Sequence, residues 1–136
     1  MWRIVIAGAA GGVISIFTSW FLTGYLFHAF QRLTPETWRA EGPKQYALSS
    51  ITQVFAGAAL GVLYFATGGV SHLGTGGWLV SGVAFGLVAW TALACPVILI
   101  NAVYVRLHRG VVIGLLLDSL VDVLLVSSAC AWAAQG

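Results

Sequence analysis

A chain of 136 residues that is 60% hydrophobic and only 7% charged excludes a soluble globular domain, in which about a quarter of residues are charged. The net charge of +2 comes from a few loop residues and gives no surface for nucleic acid. What remains is an integral membrane protein with the lipid bilayer as its solvent.

Four apolar stretches follow in order, at residues 4–30, 46–67, 78–105 and 111–133. Each exceeds the roughly 20 residues needed to cross about 30 Å of hydrocarbon. The first and third are long enough to require tilt or protruding ends. The expected fold is all-α, a four-transmembrane-helix bundle forming one integral membrane domain over residues 1–136. Met1-Trp2-Arg3 before an apolar run resembles a signal peptide's start. The run continues far beyond a signal peptide's core, so an uncleaved first span is expected.

Arg32, Arg39 and Lys44 lie between the first and second stretches, and Arg106 and Arg109 between the third and fourth. The connection at residues 68–77 has no Lys or Arg, and only Arg3 opposes the bias. The positive-inside rule then places both basic loops in the cytoplasm and both termini outside, in the cell inner membrane. Within the first loop, Thr34-Pro35-Glu36 reads as an N-cap, a proline at the first helical position and an acid at the positive helix end. A short interfacial helix is expected there, with Trp38 at headgroup level and Gly42-Pro43 launching the second span.

Glycines four apart occur in every span: Gly8 and Gly12, Gly57 and Gly61, Gly82 and Gly86, Gly110 and Gly114. In lipid, helices associate through close backbone contact, and such pairs provide a flat surface for it. They predict tight packing, within the chain or between copies. Gly8, Gly12 and Arg32 are spaced like Gly82, Gly86 and Arg106, but too few other positions agree to support duplication.

Asp118 and Asp122 are the only acids outside residues 32–44, and they interrupt a leucine-rich run. Four residues apart, they share one helix face, at roughly +2.5 to +3.5 kcal/mol each in mid-membrane. A partner, a water-filled cavity or protonation must offset that cost. Counting about 1.5 Å per residue from the cytoplasmic end puts Asp118 roughly 12 Å deep and Asp122 roughly 18 Å deep. Thr23 and Gln53 fall near Asp118; Ser19 and Cys95-Pro96 fall near Asp122; Asn101 and His28 are shallower. Ser15, Ser19 and Thr23 form a stripe on the first helix. The candidate polar site is therefore Asp118, Asp122, Gln53, Thr23, Ser19 and Asn101. It reads either as a proton or cation site or as interhelical hydrogen-bond glue. At least one carboxyl is expected to be protonated at neutral pH unless a cation or basic partner intervenes.

Pro96 removes a backbone donor in mid-span and should kink the third helix, freeing a carbonyl near Ala92. His28, His72 and His108 divide between opposite ends and make neither a metal nor a haem set, so no cofactor is expected. Cys95 and Cys130 lack CxxC spacing and read as small packing residues. No phosphate loop, nucleophile elbow or HExxH motif is present, and Ser119 has no basic partner beside it.

Gly24-Tyr25-Leu26-Phe27, Asn101-Ala102-Val103-Tyr104-Val105-Arg106 and Leu117-Asp118-Ser119-Leu120 give the layout a likeness. It resembles the small bacterial four-helix membrane proteins grouped as domain of unknown function 1761. The resemblance covers the full length in outline and implies a four-helix fold, with no activity attached.

The leading expectation is a non-enzymatic membrane protein, either a helix-packing subunit of a larger complex or a self-associating module. The alternative is a small oligomeric proton- or cation-coupled transporter or channel using the Asp118/Asp122 pair. An enzyme ranks third.

Overall fold

The computed structural model describes residues 1–38, 42–70 and 76–135. Four helices are long and apolar enough to cross a membrane: α1 (Trp2–Leu26), α2 (Pro43–Ala66), α3 (Gly77–Tyr104) and α4 (Arg109–Gln135). Their bounds lie within a few residues of the stretches read from composition. Among the described residues there is no strand. The protein is an all-α bundle of the multi-pass membrane class.

Arg3, Trp78, Trp132 and Gln135 line one cleft, so the start of α1, the start of α3 and the end of α4 share one end of the bundle. At the other end Thr37 Oγ1 donates to the Arg106 carbonyl at 3.2 Å, joining the two basic connections. Arg39, Glu41, His72 and Thr75 lie outside the described residues.

The connection after α1 departs from the expected interfacial helix. It holds one helical turn, His28–Gln31, and one 3₁₀ turn, Pro35–Thr37. Pro35 takes the first helical position as read, but Thr34 Oγ1 is buried and makes no hydrogen bond among the described residues. The turn closes instead through the backbone, Thr37 N donating to Thr34 O at 3.1 Å. So short a turn has few orphan donors for a side chain to cap. Gly42 does precede Pro43 at the start of α2.

Two of the long helices change register. In α3 the residues Trp90–Ala94 are π-helical, immediately before the Cys95–Tyr104 segment that contains Pro96. Proline has no N–H for the carbonyl one turn back, and the wider register absorbs that missing bond. α1 is π-helical over Trp20–Leu26 with no proline to explain it. There Thr23 Oγ1 donates to the Ser19 carbonyl at 2.7 Å, competing with the backbone for that acceptor. The segment closes with Phe27 N donating to Leu22 O at 2.9 Å, five residues back.

α1 packs between α2 and α4, and α4 holds the first half of α3. Glycine sets the α1–α2 distance. A Cβ on Gly12 would stand 2.5 Å from the Gln53 carbonyl oxygen, and one on Gly61 would stand 2.9 Å from that of Ile4. A Cβ on Gly8 or Gly57 would overlap the other's carbonyl oxygen. On α3, a Cβ on Gly82 would lie 2.7 Å from Ser128 Cα, while Gly86 faces Ser127 Oγ. Gly110 and Gly114 behave differently: they receive the rings of Phe30 and Phe27, so they seat side chains instead of a neighbouring backbone.

Ile4, Tyr64, Phe85, Ala89, Val126, Cys130, Ala131 and Ala133 form the core, at the end where the chain termini meet. The Tyr64 and Phe85 rings meet edge-on with centroids 4.9 Å apart. By contrast, Cys95–Tyr104 contributes no buried residue. Most of the buried side chains therefore lie toward the terminal end, with Val111 buried at the basic-loop end.

Candidate functional site

Asp118 and Asp122 stand one turn apart on α4, both half-buried. Ser19 of α1 lies between them: its Oγ is 3.1 Å from Oδ2 of Asp118 and 3.1 Å from Oδ2 of Asp122. Thr18 Oγ1 donates to the second Asp122 oxygen, Oδ1, at 2.7 Å. From α2, Gln53 Nε2 donates to Ser19 Oγ at 2.6 Å. Three helices thus meet at one hydroxyl. Ser15, one turn from Ser19 and only 2% exposed, carries a buried Oγ with no hydrogen bond among the described residues. It lines the same cavity as Asp122.

Donor counting constrains this cluster. A serine hydroxyl has one proton to give and two lone pairs to receive. Gln53 fills one lone pair, leaving one proton and one lone pair for two carboxyl oxygens. The arrangement is fully satisfied when one carboxyl is protonated and donates to Ser19 while Ser19 donates to the other. Asp122 already receives Thr18, so it suits the acceptor role. Asp118 Oδ1 is buried without a partner among the described residues, as the carbonyl oxygen of a neutral acid tolerates better than a carboxylate oxygen. No cationic side chain partners either acid among the described residues.

The structure gathers Asp118, Asp122, Ser19 and Gln53 into one network and leaves two expected members outside it. Thr23 spends its hydroxyl on the Ser19 carbonyl and reaches neither acid. Asn101 is exposed on the second half of α3, which buries no side chain, so it does not join the seam. Cys95 is half-buried and Cys130 buried, both as free thiols. At the level of the acids α3 instead contributes Trp90, whose Nε1 donates to Ser119 Oγ at 2.9 Å.

Thr18 and Trp90 were not anticipated. A serine stripe read at intervals of four passes over Thr18, although a helix face also includes the position three away. His108 stacks on Phe30 with centroids 5.2 Å apart, and its Nδ1 accepts the Gly110 N–H at 3.1 Å. His28 sits in the turn after α1. No group of three metal-ligating side chains occurs among the described residues.

Two cavities flank the Ser19–Gln53 contact. One, of about 320 Å³, is lined by hydroxyl and amide side chains together with Ile16, Trp20 and Gly24, and reaches Gln31 and Tyr46 at the basic-loop end. The other, of about 220 Å³, lies deeper among Ser15, Gly57, Leu60, Asp122, Val123 and Val126.

No family model, curated protein or solved structure matches the chain. Fold and site together define a multi-pass membrane protein with a carboxyl–hydroxyl cluster spanning three of its helices.

Proposed function

We propose that the protein binds and releases a proton at the Asp118/Asp122 pair, as a small proton- or cation-coupled carrier or channel of the inner membrane. Its basic loops would face the cytoplasm and both ends the outside, on the distribution of arginine and lysine. One observation carries the reading: the single Ser19 hydroxyl lies 3.1 Å from both carboxyls while its other acceptor site is taken by Gln53. Such a network needs one proton more than two carboxylates provide. Acids at membrane depth mark proton and ion routes more often than they serve as filler. The resemblance to the bacterial four-helix group belongs to this proposal and adds no activity to it.

The test is infrared difference spectroscopy of the protein in lipid vesicles, following the carbonyl stretch of protonated carboxyl groups as pH is stepped through neutrality. A band that titrates, and that is lost in Asp118→Asn with Asp122→Asn, is the expected result. A protein whose spectrum is unchanged by both substitutions has no titrating pair, and the proposal fails.

A second reading is a packing subunit of a larger membrane assembly. It is favoured by the second half of α3, which buries none of its residues and exposes Asn101 among Val97, Ile100 and Val103. The glycine surfaces of α1 and α2 are occupied by each other, so self-association through those glycines is not part of this reading.

A further inference from the structure

The cavity at the basic-loop end bears on how the buried acids are reached. Its polar side chains are those of Ser19, Thr23, Gln31, Tyr46, Ser50 and Gln53 among others, drawn from α1, the turn after it and α2. These side chains run from the bundle's end inward to the residue that touches both acids. Ile16, Trp20 and Gly24 complete the lining, but so many polar side chains facing one cavity in a membrane bundle cost free energy unless water or a ligand wets them. The volume of about 320 Å³ accommodates several waters at about 30 Å³ each.

The other direction is apolar. Beyond Asp122 come the apolar cavity around Val123, Val126 and Leu60 and then the packed core of Tyr64, Phe85 and Ala131. The Gln53–Ser19 hydrogen bond stands between the polar cavity and the apolar one.

We infer that the polar cavity is a hydrated vestibule giving the Asp118/Asp122 pair access to water from the Lys44 side only, with the Ser19–Gln53 contact as its inner wall. The inference rests on the proton-site reading for its purpose, but the hydration of the cavity stands on geometry alone. The π-helical Trp20–Leu26 segment shapes it, because Trp20, Thr23 and Gly24 all line the cavity. In this chain the vestibule admits protons, carried by water and by the hydroxyls along its wall. Sidedness follows from the linings: the cavity toward the Lys44 end carries the polar side chains and the one beyond Gln53 is apolar.

Two measurements on the full chain in sealed vesicles decide it. In a Cys95→Ser background, Ser50→Cys should react with a membrane-impermeant thiol reagent added on the Lys44 side and should be protected from reagent on the opposite side. Val97→Cys, the same number of residues from its own helix end on the exposed half of α3, should not react. Ser50→Cys reacting no faster than Val97→Cys, or reacting from the opposite side, overturns the vestibule. The second measurement is the rate at which the carboxyl band responds to a pH jump. Ser50→Leu narrows the vestibule without touching the acids, so the response should slow several-fold with its final amplitude retained. An unchanged rate at full amplitude overturns the route. Absence of any titrating band in the unmodified protein defeats the proton site instead, and the labelling result still decides whether the cavity is wet.

Discussion

Gln53 on α2 donates its amide N–H to the Ser19 hydroxyl of α1 at 2.6 Å, next to the point where a Cβ on Gly12 would meet the Gln53 carbonyl oxygen. Side chain and backbone of one residue therefore hold α1, the first through a hydrogen bond and the second through close approach. Because a carboxamide nitrogen can only donate, this contact fixes which way the Ser19 proton points: away from Gln53 and toward α4. The orientation of one hydroxyl is thus set by a helix that does not carry the acids.

That coupling is measurable. A double-mutant cycle of Ser19→Ala and Gln53→Leu, read from reversible unfolding in detergent, should give an interaction of about 1 kcal/mol, within the range known for interhelical hydrogen bonds in membranes. Additive single effects would show that the two side chains do not share a bond.

The two aspartates should respond unequally to amidation. Asparagine at Asp118 can donate to Ser19 as a protonated acid does, so Asp118→Asn should unfold near the temperature of the parent protein. Asparagine at Asp122 keeps one acceptor oxygen for Ser19 but turns an N–H toward Thr18, whose proton must then go to the Ser15 carbonyl 3.1 Å away, so both charge-assisted bonds to the carboxylate are lost. Asp122→Asn should cost about 1–3 kcal/mol. Equal melting temperatures, or the reverse order, would refute the assignment of the proton to Asp118.

Glycine substitutions should separate two kinds of contact. Gly57→Ala pushes a methyl group into the backbone of α1 and should lower stability by about 1–3 kcal/mol. Gly110→Ala meets the Phe30 ring first, a side chain that can shift where a backbone cannot, and should cost less. Thermal unfolding of the two variants side by side makes the comparison. If Gly110→Ala is the more damaging, the aromatic seat is the tighter contact and the α1–α2 crossing has slack.

Orientation is open to a direct check. Lys44→Cys should be modified by an impermeant reagent only after cells are opened, whereas Gln135→Cys should be modified in intact cells. The opposite pattern would invert the topology and put the mouth of the vestibule outside.

The number and extent of the spans were readable because hydrocarbon thickness turns composition directly into length. Ser19 and Gln53 were readable too: depth counted along straight helices brings them level with the acids. Thr18 was missed because the face was followed only at intervals of four. Asn101 was misplaced for a different reason. Pro96 announces a kink but not where it sends the chain, and the π-helical turn before it starts a segment that buries nothing. The π register of α1 had no such signal; it depends on Thr23 choosing the Ser19 carbonyl, a preference with no periodicity to betray it.

α1 is anchored twice, by Ser19 against the acids and by Phe27 against Gly114, and Trp20–Leu26 is the stretch between the anchors. A π turn takes up more residues per turn than an α turn, so the chain there carries slack in length. Removing Phe21 should let the stretch revert to ordinary helix while both anchors keep their azimuth. Removing Ile14, in the α-helical part, should instead rotate every later residue of the helix by about 100° and swing Ser19 off the acids. The helix can be shortened in one place only, and that place adjoins the acids.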